Sequence, residues 1–374
     1  MRLFNKNGIK QNRETHSLNV EKLLLELLCE TEYELFQYPF TTKKEDLKYF
    51  IKRMLRPIGT PKRDSFFWTH AMLAMALESA GEIEVLKKYY DLWIDKGIPI
   101  YHLDNVMNGY SLLYVYEQTK EKKYEEAANR LYAYVHDYKK DMTGTLPYRK
   151  HHSNHMYVDA IGMIVPFLCR YGRVFNHKEA FTIGIDYLID FIKYGMDEKT
   201  GLPYHGYDFI TKTKYGIIGW GRAVGWLMLG LADSLEFLLD HHIKDKLYIE
   251  LKRLINVCIE YQRADGYFAW QLTAMDGPKD TSATAMIGYA IQKMMQYESI
   301  YEKQNAKKDT RTKDITYEDV IASIKSALIS SCKNGKIYDC SGECEGFSQY
   351  PQVYGAYPWS LGPGVRFLIG LDKI

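Results

Sequence analysis

Four side chains of this 374-residue sequence stand where they could do chemistry. Asp159 lies in Met156-Tyr-Val-Asp-Ala-Ile-Gly-Met163, at the mouth of the most hydrophobic helical segment in the chain. An ionised carboxylate in apolar surroundings is costly, so Asp159 either caps a helix or is kept ready to carry a proton. Asp104, in Leu103-Asp-Asn-Val-Met-Asn-Gly109, occupies the equivalent place one hairpin earlier. Two carboxylates facing each other across a cavity cannot both ionise comfortably, which would leave one of them an acid near neutrality. Helix N-terminal dipoles act in the opposite sense, and the sequence leaves that balance open. Arg222 opens the uncharged segment Trp220-Gly-Arg-Ala-Val-Gly-Trp226 and shares a helical face with Trp226, four residues on. An Arg beside an indole can fork onto a ligand carboxylate while the ring covers a sugar; it can also simply snorkel at a helix mouth. His205, in Tyr204-His-Gly-Tyr-Asp208, follows a turn and completes the set.

Other chemistries find less support. His151, His152 and His155 are clustered, but their spacing matches no zinc helix motif and no carboxylate is grouped with them, so no metal is expected. There is no Walker sequence and no GxGxxG after a strand, hence no nucleotide cofactor. Lys plus Arg is 49 and Asp plus Glu is 47, a formal net charge of +2 that gives no reason to expect nucleic acid as partner. No uncharged apolar run reaches the roughly 18 residues of a membrane span. The polar start, Met1-Arg-Leu-Phe-Asn-Lys, lacks the apolar core of a secretory signal. Six scattered cysteines, with only Cys340 and Cys344 near each other, point to reduced thiols and a cytoplasmic setting. Tyr is abundant at 32 copies; its stacking face and hydroxyl together suit a wet cleft for a polar, ring-shaped ligand.

The elements that must position these groups are helices. Periodicity predicts them over 17–30, 44–55, 63–80, 84–96, 103–119, 122–139, 154–173, 177–195, 220–240, 244–263, 281–299, 316–333 and 358–371. They fall into two alternating kinds. Segments 160–169, 223–232 and 281–291 carry no charge and should be buried all round, whereas 121–140 and 244–263 carry a charged face and an apolar stripe. Buried helix then half-exposed helix, about six times over, describes an inner ring wrapped by an outer one, an (α/α)6 barrel. A generic bundle or solenoid is the alternative, although no repeat of fixed length is visible. No linker divides the chain, so residues 1–374 read as one domain, with 303–315 a solvated loop.

The segments entering the inner helices share a composition rich in Trp, Tyr, His, Asp and Arg. They include Arg63-Asp-Ser-Phe-Phe-Trp-Thr-His70, His102-Leu-Asp-Asn105, His151–Asp159, Gly219-Trp-Gly-Arg222, Pro278–Ser282 and Tyr354–Trp359. If the inner helices run parallel, these segments converge at one end, with Trp68, His70, His155, Tyr157, Trp220 and Trp226 as candidate binding residues. Two echoing turns, Thr143-Gly-Thr-Leu-Pro-Tyr148 and Thr200-Gly-Leu-Pro-Tyr204, should line the same rim. Faces to stack on, donors for hydroxyls and a carboxylate are what a sugar site needs.

With these motifs in order, the chain resembles the unsaturated uronyl hydrolases of glycoside hydrolase families 105 and 88, more closely family 105. The resemblance rests on Leu103-Asp-Asn-Val-Met-Asn-Gly109, Asn154-His-Met-Tyr-Val-Asp159, Tyr204-His-Gly-Tyr-Asp208, Trp220-Gly-Arg-Ala-Val-Gly-Trp226 and Thr281-Ser-Ala-Thr-Ala285. It implies an (α/α)6 barrel and a substrate made by a polysaccharide lyase, an oligosaccharide ending in a C4=C5 unsaturated uronic acid. The implied reaction hydrates that double bond and does not displace at the anomeric carbon. On this resemblance Asp159 is the acid/base and Asp104 its support, His205 and Arg222 hold the uronate or polarise the sugar, and Trp226 stacks. Tyr157 stands where relatives commonly carry Trp, and Phe66-Phe-Trp-Thr-His70 is a loose match; both departures bear on which oligosaccharide is preferred. A sugar epimerase or lyase on the same barrel, and a catalytically silent sugar-binding protein, are the competing readings. Either a monomer or a homodimer fits the sequence.

Overall fold

The computed structural model describes residues 6–37, 67–138, 146–149, 154–238, 241–305, 316–344 and 346–371, with positions 47, 50, 51, 54 and 55. Twelve α-helices of eleven or more residues are traced among them. They are α1 (Lys6–Leu35), α2 (Trp68–Ala80), α3 (Ile83–Asp95), α4 (Gly109–Thr119), α5 (Lys122–His136) and α6 (Val158–Val174). The chain continues with α7 (Lys178–Tyr194), α8 (Gly221–Leu235), α9 (Lys244–Ile259), α10 (Thr281–Asn305), α11 (Tyr317–Ser330) and α12 (Pro358–Gly370). A 3-10 turn, Leu103–Asn108, leads into α4. Most of the helix expected over 44–55, and positions 63–66 and 151–153 of the entry segments, lie outside the described residues.

The even-numbered helices form a closed inner ring. Helix α2 packs on α4, α4 on α6, α6 on α8, α8 on α10, α10 on α12, and α12 returns to α2. The odd-numbered helices lie outside, each against an inner neighbour. Sequence explains the division. Every residue of α8 is buried, as its lack of charge over 223–232 requires. In α5 only Tyr124, Ala127, Ala128, Leu131, Tyr132 and Val135 are buried, a stripe at helical spacing. The protein is an (α/α)6 barrel.

Two features hold the inner helices in register. First, α6 and α8 approach closely because a glycine on each faces a larger residue of the other. A Cβ on Gly162 would come 2.5 Å from the Trp226 ring and 2.7 Å from its carbonyl oxygen, and one on Gly230 would come 3.0 Å from the Ile161 carbonyl. Second, buried charges join the inner helices in two groups of three, at the C-terminal halves of all but α10. Arg170 of α6 reaches Glu78 of α2 and Glu117 of α4, both at 2.6 Å. Arg366 of α12 forks onto Asp233 of α8 at 2.7 and 2.9 Å, and Tyr289 of α10 donates to the same carboxylate at 2.7 Å. An unpaired charge there would be strongly destabilising, so each Arg fixes the relative height of the helices it joins. All six helices therefore run the same way, and their N-termini meet at the opposite end.

The start of α6 differs from expectation. Periodicity runs the helix back to residue 154, but His155–Tyr157 forms strand β1 and the helix begins at Val158. The cause is tertiary: β1 pairs antiparallel with β2 (Gly206–Asp208), which pairs with β3 (Lys214–Tyr215). Asp159 is thereby set in the first turn of α6.

His70, one of the candidate binding residues, serves the fold. It is buried in the first turn of α2, with Nε2 2.9 Å from the Gln37 carbonyl, tying the chain after α1 to the inner ring, and Nδ1 3.2 Å from the Thr69 hydroxyl. Burial pushes its pKa down to about 4, from an ordinary value near 6.5. The folded state thus refuses a proton that the unfolded chain accepts, and stability falls as pH drops from about 6.5 toward 4. Urea unfolding at pH 7.5 and 4.5 should show His70→Gln losing roughly 2–3 kcal/mol less than wild type over that interval; equal losses would refute this linkage. Gly162→Ala should push α6 and α8 apart and cost about 1–3 kcal/mol in the same assay at neutral pH.

Candidate active site

The convergent N-terminal end of the inner ring holds the sequence-predicted carboxylates, each with a partner of its own. Strand pairing builds the first group. Val158 N–H donates to the His205 carbonyl at 2.9 Å, so the end of β1 and the start of β2 are locked together. The His205 ring then lies between two partners: Nε2 is 2.9 Å from Asp159 Oδ2, and Nδ1 is 2.8 Å from the Tyr350 hydroxyl. The same hydroxyl accepts from Ile217 N–H at 3.4 Å. With that amide donating to it, the phenol's proton is free for Nδ1, which leaves the His205 proton on Nε2, directed at Asp159. Gly216, at φ +82°, makes room; a Cβ there would lie 2.6 Å from both the His205 Cβ and the Tyr350 hydroxyl. His205 is almost wholly buried, while Asp159 keeps 13% of its side chain open.

Asp104 forms the second group, in the 3-10 turn before α4, and is fully buried. Arg149 Nη1 reaches its Oδ2 at 3.2 Å, and the Tyr148 hydroxyl lies 3.4 Å from the same oxygen. Its other oxygen, Oδ1, is buried with no hydrogen-bond partner. Tyr148 also lies 3.5 Å from Met163 Sδ, linking Asp104 to α6 one turn beyond Asp159. The like-charged pair suggested by the sequence is thus replaced by two separate partnerships, Asp104 with Arg149 and Asp159 with His205. Burial holds the Tyr148 phenol well above its usual range and raises Tyr157 to about 12, with Arg149 opposing and Asp159 adding to the rise in Tyr157.

Aromatic rings surround both groups. Tyr157, the N-cap of α6, stacks on Phe347 at 4.0 Å and meets His205 edge-on at 5.3 Å. Phe347 stacks in turn on Tyr215 and contacts His155. Trp220 lies 4.7 Å from His205, and its Nε1 is buried without a partner. Trp68, Trp226 and Trp359, from three inner helices, pack together with centroids 5.3 and 5.8 Å apart. Their contact shows directly that the entry segments of α2, α8 and α12 converge. Trp226 is only 1% exposed, sandwiched into the α6–α8 contact.

Arg222 is placed at the site but turned to the protein. Its Nη1 donates to Ser341 O at 3.0 Å and Ser341 Oγ at 2.9 Å, and Nη2 to Gly342 O at 2.8 Å. Asp280 accepts from Ser341 Oγ at 2.6 Å, so the starts of α8 and α10 together anchor strand β4 (Cys340–Ser341), which pairs with β5 (Tyr354–Gly355). The segment between β4 and β5 delivers Phe347 and Tyr350. His155 sits at the edge, its Nε2 4.0 Å from Asp208, beside Tyr215. His70 stands apart from this assembly, in the packing described above.

Sequence reasoning did not single out Arg149, Phe347, Tyr350 or Ser341. Arg149 directly follows a turn already expected to line the rim, which was a usable signal. The other three lie in Cys340–Tyr354, where no periodicity marks a role. Among the described residues no group of three His, Cys, Asp or Glu side chains could hold a metal ion.

Comparison with known proteins agrees with this architecture. Unsaturated rhamnogalacturonyl hydrolase YesR of Bacillus subtilis (strain 168) is 26% identical over 307 residues, covering 80% of this chain and 85% of that protein. A possible member of family GH105 from Klebsiella pneumoniae superposes with a TM-score of 0.77 at 15% identity, covering 100% of this chain and 95% of that one. A family 105 glycoside hydrolase from C. acetobutylicum ATCC 824 superposes at 0.68 and 19% identity, covering 87% and 98%. Residues 56–314 match the profile of Glycosyl Hydrolase Family 88. With more than half its length matched, the chain belongs to glycosyl hydrolase family 88.

Proposed function

We propose that this protein hydrolyses oligosaccharides left by polysaccharide lyases, releasing the C4=C5 unsaturated uronic acid from their non-reducing end. The observation that carries the reading is the Asp159–His205 pair at an aromatic-lined opening, in a chain of this family. The likeness to YesR makes an unsaturated galacturonyl-rhamnose disaccharide the first substrate to assay.

The geometry supports a proton-driven hydration. On this reading Asp159 carries the transferable proton, with its Oδ2 accepting from His205 Nε2. Delivering it to C4 forms a C–H bond with the π electrons of the enol ether and leaves a cation at C5, shared with the ring oxygen. Water then adds to C5 and its surplus proton returns to Asp159, restoring the starting state. The hemiketal so formed opens at the C5–ring-oxygen bond, and the hemiacetal this leaves at C1 collapses to release the remaining sugar. On this reading Asp104 accepts from a ring hydroxyl with Oδ1, the oxygen that has no partner within the protein. Arg222 and Trp226 serve this site by fixing its walls, and Tyr157, Trp220 and Trp68 by shaping them. The retaining-versus-inverting test of carboxylate separation has no bearing on this reaction.

The six cysteines are free, and Cys169, Cys258 and Cys340 are buried, which suits a reducing compartment such as the cytoplasm. No described helix is long and apolar enough to cross a membrane.

Incubation with the disaccharide should bleach its enol-ether absorbance; binding or epimerisation alone would leave the signal intact. Asp159→Asn keeps the shape and removes the proton, so kcat should fall about 10²–10⁴-fold with the fold unchanged. Near-normal turnover by a folded Asp159→Asn protein would end the assignment. Tyr350→Phe removes the group that fixes the His205 tautomer and should lower kcat roughly 3- to 10-fold, in line with one net hydrogen bond. It should also change the shape of the kcat–pH profile; a smaller kcat with an unaltered profile would make Tyr350 a packing residue only.

A further inference from the structure

The proposed substrate carries a carboxylate into a site that already contains Asp104 and Asp159, so a cation must meet it. Two arginines are near enough for their charges to act around Asp159: Arg222 on Cys344, Tyr354 and Asp159 itself, and Arg149 on Tyr148 and Tyr157. They differ in what they have left to offer. Arg222 is 3% exposed, lies against the indoles of Trp220 and Trp359, and directs three N–H groups to Ser341 and Gly342. Turning it toward a ligand would leave the buried Gly342 carbonyl without its donor and the Ser341 carbonyl with Trp359 Nε1 alone, at a cost comparable to the gain.

Arg149 is built the other way. Its guanidinium lies 4.3 Å from the centroid of Tyr148, which holds its plane, and one nitrogen is pinned by Asp104 at 3.2 Å. Among the described residues that is its one hydrogen bond, leaving four of the five N–H donors. Its side chain is 28% exposed although its partner Asp104 is wholly buried, so part of it is open to a ligand. The adjacent Tyr157 hydroxyl feels both Arg149 and Asp159, so both groups lie near that ring.

We propose that Arg149, anchored from behind by Asp104, receives the carboxylate of the terminal uronate. This rests on the substrate class given above and deepens it: Arg149 makes the site selective for a free acid over its ester. A planar fork held flat on a ring and already charge-compensated loses little freedom on binding a carboxylate in two-point fashion. Asp104 then has two tasks, to orient Arg149 with Oδ2 and to present Oδ1 to the sugar.

The test is equilibrium binding by calorimetry, in an Asp159→Asn background so that nothing is consumed. The probes are the unsaturated galacturonyl-rhamnose disaccharide and its C6 methyl ester, compared with Arg149 intact, as Arg149→Lys and as Arg149→Gln. With Arg149 intact the acid should bind roughly 10- to 100-fold more tightly than the ester, the worth of a charge-assisted pair. Arg149→Gln should bring the two within about threefold, and Arg149→Lys should fall between. Because the acid-to-ester ratio is taken within each protein, a general loosening of the site cancels; Arg149→Lys also keeps a cation beside Asp104 should the Gln variant misfold. An unchanged ratio in both Arg149 variants overturns the proposal, as does a ratio that collapses only in Arg222→Lys. The functional reading fails separately, if wild-type protein leaves the disaccharide's absorbance intact, and the binding ratio still reports on Arg149.

Discussion

The buried charges at the closed end of the barrel are the constraint on which the rest depends. Arg170 and Arg366 between them tie together five of the inner helices, and Tyr289 brings in the sixth. Buried ion pairs add little net stability compared with apolar packing, but breaking one leaves a charge stranded, so they act on register. Once six helices are held at one height and in one direction, their N-termini must lie side by side. Every loop that enters an inner helix is then delivered to the same place, and the aligned helix dipoles give that end a positive bias.

At the open end the same rule, that no buried charge stands alone, shapes the site in detail. Asp104 is compensated by Arg149, Asp159 is met by His205, and Asp280 is used through Ser341 to share the load of Arg222. The last of these matters most for assembly. By gripping the backbone of Ser341 and Gly342, Arg222 fixes where the segment between β4 and β5 leaves the barrel. That segment carries Phe347 onto Tyr157 and Tyr350 onto His205, more than a hundred residues away in sequence. Arg222 thus holds the part of the chain that reaches the Asp159–His205 pair, to which the proposed function assigns the proton transfer.

Asp104 Oδ1 and Trp220 Nε1 are among the buried polar atoms that have no partner within the protein. Under the proposed function, an acceptor and a donor left open at this end of the barrel suit a polyhydroxylated ligand, whose hydroxyls complete what the protein leaves unfinished.

Much of this was written in the sequence, for local reasons. Uncharged segments alternating with striped ones determine which helices are inner and which outer, since burial on all sides admits no charge. A helix-mouth Asp in apolar surroundings marks Asp159, and an identical setting one hairpin earlier marks Asp104; both are read from immediate neighbours. What required the tertiary structure were the relations between distant segments. Strand pairing with 206–208 overrode helical periodicity at 155–157 and so set the height of Asp159. Arg222 carries the same sequence signal whether it faces a ligand or a backbone carbonyl, and only the position of Ser341 decides between them. Tyr350 has no local signal at all, because its role is defined by an atom of His205 brought close by the closure of the ring. Residue type and spacing report what a side chain could do; which partner it meets depends on long-range packing, and that was settled only in three dimensions.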